Sequence, residues 1–253
     1  MDCICGCIVG RLIKLSDRLS AVAGFVEPGA SVVDVGTDHG FLPVYLAQSG
    51  LASKIIASDI GIGPLGSARR SAKRYDVMDK ITFVASSGLA GIVETDVDTV
   101  VIAGLGGETI AGILSDAPWT RFGVRLILQP QSKIGELCGF LRENGYVLRD
   151  AKLVRDSGKL YVVLLACGKE LDAEHPCAGA REALFEQPPE MELLALLKER
   201  RDPLFEDYMD WLIAITCRAM DGMKNSCGAS EAYPEMSRKL EILMRSADRK
   251  ESE

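Results

Sequence analysis

Apolar positions along the chain repeat with two different periods, and the alternation between them outlines the architecture. Leu15, Leu19, Val22 and Val26 stand at helical spacing behind Ser16, a residue type that caps helix starts, so a helix is predicted over 15–26. Pro28 and Gly29 then break the pattern. Short apolar runs follow at 31–35, 54–59, 81–84, 97–103 and 125–128, each too short for a helix and rich in Val and Ile. Stretches at helical spacing separate most of them, at 41–49, 64–75, after Gly107 and at 132–144. Strands that are apolar throughout, joined through helices, predict a parallel sheet covered on both faces.

The end of this series is different. Residues 145–154 and 160–167 read as strands with only a turn at 155–159 between them, which predicts an antiparallel hairpin. A doubly wound parallel sheet closed by such a hairpin is the shape of class I methyltransferases, whereas doubly wound dehydrogenases usually end on a further parallel strand. After residue 170 the strand pattern stops. Helices are predicted at 190–200, 203–224 and 231–247, with apolar stripes Leu204-Tyr208-Trp211-Leu212-Ile215-Ala219 and Met236-Leu240-Leu243. The domain reading is an N-terminal extension at 1–13, a sheet domain at 14–170 and a small helical, coiled-coil-like domain at 171–253. The linker falls near 169–189, which holds Pro176, Pro188 and Pro189. The two stripes are expected to bury mainly against each other. A chain ended near residue 170 is then expected to fold and to bind its cofactor unaided.

Charge sharpens this division. The 253 residues carry a net charge of −7, but residues 1–170 hold 18 basic and 18 acidic side chains, leaving 11 and 18 beyond them. An acidic chain is no general polyanion binder, so a nucleic-acid role requires a local basic face. No apolar run approaches the ~20 residues of a membrane span. The eight cysteines come without a secretory signal, which points to free thiols in a reducing cytoplasm. Cys3, Cys5 and Cys7 form one cluster that a soft metal could occupy, but the paired CxxC pattern of a closed zinc site is missing and no metal is expected. The sequence carries no signal of oligomeric state.

Candidate chemistry lies at the carboxyl ends of the strands, where open α/β sheets bind ligands. The first strand runs into Asp34-Val35-Gly36-Thr37-Asp38-His39-Gly40. In a dinucleotide fingerprint the position of Asp38 would be glycine. A carboxylate there repels a pyrophosphate but can stand beside a sulfonium or an amine, so the loop favours S-adenosylmethionine over NAD. Asp59 ends the second strand, where a carboxylate can accept from ribose hydroxyls or cap a turn. Ser86-Ser87-Gly88 ends the third, at the adenine's place. Gly104-Leu105-Gly106-Gly107 ends the fourth, suiting either a flat aromatic acceptor or a plain tight turn. Gln129-Pro130-Gln131 ends the fifth and offers amides to the same cavity. His39 reads equally as a site residue or as a loop-structuring one.

These motifs resemble those of the bacterial TrmK family, the tRNA (adenine(22)-N(1))-methyltransferases. The resemblance rests on Lys14-Leu15-Ser16-x-Arg18-Leu19, Asp34-x-Gly36-Thr37-Asp38-His39-Gly40-Phe41-Leu42-Pro43, Ile102-Ala103-Gly104-Leu105-Gly106-Gly107 and Arg125-Leu126-Ile127-Leu128-Gln129-Pro130. It runs over about 14–168 and continues loosely as Pro203-Leu204-Phe205-x-x-Tyr208. It implies S-adenosylmethionine-dependent methylation of ring nitrogen 1 of adenine 22 in tRNA, with Asp38 the catalytic residue. The implied cofactor contacts are Arg18, Asp34, Gly36, Thr37, Gly40, Asp59, Ser87, Gly88, Leu89 and Ala103. The implied substrate contacts are His39, Phe41, Gly104, Gly106, Gly107, Gln129, Pro130 and Gln131. The chain departs from the family at Asp59 (commonly Glu), Ser87 (usually Asp), Phe41 (usually Tyr) and Gln131 (usually Asn). Alternatives are a methyltransferase for another substrate and a cofactor-binding interaction protein without catalysis. For a tRNA surface the sequence offers Arg69, Arg70, Lys73 and Arg74 on one helix, and a scatter of Lys133, Arg142, Arg149, Lys152, Arg155 and Lys159. In the tail it offers Lys198, Arg200 and Arg201.

Overall fold

The computed structural model describes residues 12–168, 188–225 and 233–247. The Cys3/Cys5/Cys7 cluster and most of the expected linker lie outside the described residues. Seven strands form one sheet: β1 (Ala30–Val35), β2 (Ala52–Asp59), β3 (Thr82–Ala85), β4 (Thr99–Leu105), β5 (Arg125–Pro130), β6 (Tyr146–Asp156) and β7 (Lys159–Gly168), in the order β3-β2-β1-β4-β5-β7-β6. All neighbours pair in parallel except β7, which runs antiparallel to both β5 and β6 and so lies between them. The strand order reverses between β1 and β4, which places the switch point above the Asp34 and Ala103 loops.

The unbroken apolar strands are explained by cores on both faces. Val33, Val35, Val100, Ile102, Leu126 and Leu128 enter one core, while Val32, Val101, Ile127 and Val163 enter the other, alternating along each strand. Helices α1 (Asp17–Ala23) and α2 (Phe41–Ser49) cover the second core, together with Ala72 of α3 (Ile62–Arg74). Helices α4 (Gly107–Ser115) and α5 (Ile134–Glu143) cover the first through Ile110, Leu114, Leu137 and Leu141. Ser16 caps α1 as expected, accepting from the Leu19 N–H. The hairpin turn is tighter than the sequence predicts. Asp156 pairs with Lys159, leaving only Ser157 (φ 50°) and Gly158 (φ 79°) as the two left-handed residues of a twist-matched turn.

The tail departs from expectation. Helix α6 (Glu190–Glu199) is not set apart on a linker: Leu193, Leu194 and Leu197 are buried in the same core as the sheet strands. On α7 (Phe205–Asn225), Tyr208 and Leu212 are buried as predicted, but Trp211 and Ala219 are exposed, and Met209 and Met220 are buried in their stead. The stripe turns because α7 serves two partners. Its first turns reach the sheet core, and its length runs along α8 (Tyr233–Ala247), where Leu243 is buried. Mutual burial of the two stripes is therefore only half of the packing.

Candidate active site

The loop after β1 is held by backbone rather than by side chains. The N–H groups of Gly36 and Thr37 both donate to the Ser58 carbonyl of β2, at 2.8 and 3.0 Å. Gly36 (φ 74°) and His39 (φ 57°) turn the chain, and Gly40 (φ 66°) brings it so close to α3 that a Cβ there would stand 2.7 Å from the Ala68 Cβ. That contact, and not a ligand, demands glycine at 40. Asp38 and His39 are left pointing outward, with side chains 80% and 57% exposed and 3.5 Å between Asp38 Oδ1 and His39 Nε2. The His39 ring stacks on Phe41 at 5.5 Å and 16°. Beneath them Asp34 is buried. Burial pushes its carboxyl up to about 6, the neighbouring Asp59 charge adds to the effect, and the Thr37 hydroxyl offsets it only in part. That hydroxyl approaches the carboxyl without reaching hydrogen-bond geometry, and is buried with no partner among the described residues.

The other strand ends assemble around this loop. Asp59 Oδ1 accepts from the Gly61 N–H at 2.7 Å, so the turn-capping reading holds for one carboxylate oxygen. Ser87 is exposed, Gly88 (φ 56°) is half-buried, and the Leu89 side chain is buried in the core. Gly104 (φ 84°) faces open space bounded by Arg18 Nη1 and Gln131 Nε2, 3.6 and 3.9 Å from the position of a Cβ. Gly107 is different: a Cβ would strike the backbone of Ser132 and Lys133, so its identity follows from packing and not from an acceptor. Gly106 caps α4 and is half-buried.

Gln129 lies beneath this surface. It is fully buried, its Nε2 donates to the Pro130 carbonyl at 2.9 Å, and its Oε1 accepts from Arg18 Nη1 at 2.5 Å. Its amide is thus spent on fixing Arg18. Pro130 is buried beside it, while Gln131 stays exposed.

A cleft of about 560 Å³ opens at this carboxyl edge, and Arg18, Asp34, Gly36, Asp38, His39, Phe41, Ala103 and Gln131 all line it. Three further residues of its wall belong to none of the motifs read from the sequence: Asp156, Ser157 and Tyr161. Asp156 Oδ2 accepts from the Arg18 N–H across 138 residues of sequence, and the Arg18 guanidinium lies over the Tyr161 ring at 5.7 Å. The Ser16 hydroxyl, and after it the Ser157 hydroxyl and the Arg18 N–H, hold the Asp156 carboxyl below the usual carboxylate range. The hairpin tip is thereby tied to the start of α1 and closes the cleft's far side. A second cleft, of about 590 Å³, lies at the opposite edge among Glu27, Asp98, Arg125 and Arg149, far from every strand-end loop.

Residues 15–164 match the family described as a methyltransferase domain. A tRNA (adenine(22)-N(1))-methyltransferase from Bacillus subtilis (strain 168) is 36% identical over 164 residues, which cover 64% of this chain and 69% of that one. The crystal structure of the B. subtilis m1A22 tRNA methyltransferase TrmK aligns with a TM-score of 0.77 at 28% identity, over 93% of this chain and 99% of that one. A Streptococcus pneumoniae chain, described as a candidate tRNA (m1A22) methyltransferase and solved in complex with S-adenosyl-L-methionine, aligns at 26% identity with a TM-score of 0.73. That alignment covers 92% of this chain and all of the other.

Proposed function

Because this chain belongs to the methyltransferase-domain family, and within it to the TrmK family of tRNA (adenine(22)-N(1))-methyltransferases, we propose that the carboxyl-edge cleft receives adenine 22 of a tRNA and that Asp38 is its catalytic residue. The chain is an S-adenosylmethionine-dependent enzyme that methylates ring nitrogen 1 of adenine in tRNA. A cytoplasmic setting, where tRNA is found, accords with this.

The residues of the edge fit that cofactor. Asp59 keeps one carboxylate oxygen for ribose hydroxyls, the partnerless Thr37 hydroxyl is a ready donor, and Gly36 and Gly88 let backbone approach a ligand closely. Asp34 provides negative charge to a ligand that is itself cationic. When bound, S-adenosylmethionine supplies a methyl group made electrophilic by its sulfonium. The protein's part is then positioning and electrostatics. Ring nitrogen 1 is a pairing edge, so the base must leave its stack, and the exposed His39–Phe41 pair offers an aromatic surface to receive it. As nitrogen 1 is alkylated, positive charge grows on the ring and the exocyclic amine becomes more acidic. The Asp38 carboxylate accepts a hydrogen bond from that amine and stabilises the growing charge. Arg18, fixed by Gln129 and seated over Tyr161, holds a cation at the other wall.

The observation that carries this reading is the exposed Asp38 carboxylate at the carboxyl-edge cleft, on a loop whose turns are fixed by backbone contacts. Labelled S-adenosylmethionine with unmodified tRNA, followed by mapping of the product, tests it. Wild type is expected to label nitrogen 1 of adenine 22. Asp38→Asn and Asp38→Ala are expected to lose about 10²–10³ in turnover while calorimetry shows cofactor affinity changed only a few-fold. Near-normal turnover in Asp38→Asn removes Asp38 from the mechanism, and labelling of another base or a small molecule replaces the substrate.

A further inference from the structure

Basic side chains stand on α3 at one side of the sheet and around the hairpin and tail at the other, and their pairing and clustering separate them. On the hairpin and tail side, Lys133 faces Glu136 at 3.0 Å and Glu108 at 3.9 Å, Arg155 faces Asp207 at 2.6 Å, and Arg200 faces Asp150 at 3.1 Å. That pairs three cations, and the exposed Lys152, Lys159, Lys198 and Arg201 are spread over the hairpin and the end of α6. Helix α3 behaves differently. Arg69, Arg70, Lys73 and Arg74 are all exposed, and none has an ion-pair partner among the described residues. No acidic residue lies between Ile62 and Arg74. The contacts that three of them make orient the side chain without cancelling its charge: Arg69 over the Phe83 ring at 4.6 Å, Arg70 to the Ser67 hydroxyl at 2.7 Å, and Arg74 beside the Tyr75 ring at 5.9 Å. Arg69 with Lys73, and Arg70 with Arg74, are like charges one helical turn apart, an arrangement that weakens a helix on its own. The sequence keeps it nonetheless.

The location gives this cluster a use. Ala68 on the inner face of α3 touches Gly40, which follows Asp38 and His39 in the catalytic loop. The quartet therefore begins one residue beyond the contact that positions the loop, on the β3 side of the cleft. We propose that the outer face of α3 binds the phosphate backbone of the tRNA and holds it while nucleotide 22 reaches Asp38. This rests on the reading of the cleft as a tRNA adenine methyltransferase site. It also reassigns the grip on tRNA from the acidic tail, whose Arg200 is occupied by Asp150.

The test compares two triple variants with the same change in charge. Arg70→Gln/Lys73→Gln/Arg74→Gln strips α3 and spares Arg69, which packs on Phe83. Lys152→Gln/Lys198→Gln/Arg201→Gln removes three exposed cations from the hairpin and tail. Wild-type methylation of unmodified tRNA is measured first, and its absence overturns the functional reading and this proposal together. With activity present, tRNA affinity is measured from low to moderate salt, the KM for tRNA is determined, and cofactor affinity is followed by calorimetry. The α3 variant is expected to lose tRNA affinity about tenfold or more, and the slope of log K against log salt to fall by roughly one for each phosphate contact removed. Its KM for tRNA rises, while kcat and cofactor affinity stay near wild type. The hairpin and tail variant is expected to remain within about twofold of wild type. A wild-type salt slope and KM in the α3 variant, or equal losses in both variants, overturn the proposal and leave the functional reading intact.

Discussion

Among the described carboxylates, Asp34 is the one furthest from its ordinary state. Its proton is held more tightly in the folded protein, where burial pushes the carboxyl up to about 6, than in the unfolded chain near 3.8. The folded state therefore binds more protons between these values, and stability falls as pH rises. The contribution is fully present below about pH 4 and is lost as pH passes 6, a difference of about 3 kcal/mol for two units. Asp34→Asn removes this titration. Urea unfolding at pH 5 and pH 7.5 is expected to show a clear loss of wild-type stability at the higher pH and a smaller loss in the variant. An unchanged pH dependence would place the proton elsewhere. The same linkage acts on the ligand: a cation beside Asp34 favours its ionised form, so wild-type affinity for S-adenosylmethionine is expected to rise from pH 5 to 7, and to stay flatter in Asp34→Asn. Residues of this kind were legible in the sequence because strand ends can be read from where apolar runs meet glycine. Arg18, Asp156 and Tyr161 were not legible as one group, since 138 residues separate Arg18 from Asp156 and only the fold joins them. At Gly107 and Gly40 the sequence shows that the residue is glycine, not which neighbour requires it.

Among the elements, α6 has the most specific anchorage. Its first residue, Glu190, is buried, presses against Gly135 of α5 where a Cβ would collide with its carboxylate, and receives Lys239 Nζ from α8. Three helices distant in sequence meet at this one ion pair. Lys239→Ala would leave the Glu190 charge buried without its partner, at a cost of about 2–3 kcal/mol, below the range for fully enclosed pairs because the lysine is a quarter exposed. Thermal unfolding tests this, and a double variant with Glu190→Gln should recover part of the loss. A Lys239→Ala protein as stable as wild type would mean the pair contributes nothing. Helix and strand existence was readable from periodicity almost throughout, because the parallel strands are short and largely apolar while most helices are long enough to show their period. What periodicity could not supply was the partner. Toward its end the stripe on α7 was placed one residue off, at Ala219 where Met220 is buried, because a helix that contacts two surfaces presents a face that rotates along its length.

For the molecule as a whole, the charge boundary near residue 170 is not a folding boundary. Leu193 and Leu197 are fully buried among residues of the sheet core, with Leu194, Tyr208, Met209 and Leu212 beside them. Full burial of one such side chain is worth about 1.5–3 kcal/mol, so a chain ended near residue 170 should lose roughly 5 kcal/mol or more, out of a typical total of about 5–15. It is expected to melt well below the full-length protein and to bind a hydrophobic dye, contrary to what the sequence alone suggests. Comparable melting temperatures would restore the two-domain view.

Strand order has a consequence for biosynthesis. The sheet runs β5-β7-β6, so the last strand to be made is the one that must sit against β5, and β6 cannot pair with β5 in its place. On a ribosome adding roughly 5–20 residues per second, about 7–30 s pass between emergence of Arg18 and of Asp156, its partner across the cleft. Between completion of β5 at Pro130 and of β7 at Gly168, about 2–8 s at that rate, the nascent chain carries its Asp38 loop on a sheet with no far wall, and the edge of β5 lies bare, a template for wrong pairing. A chaperone that shields one strand, Arg125–Pro130, would serve this protein better than one that shields its helices.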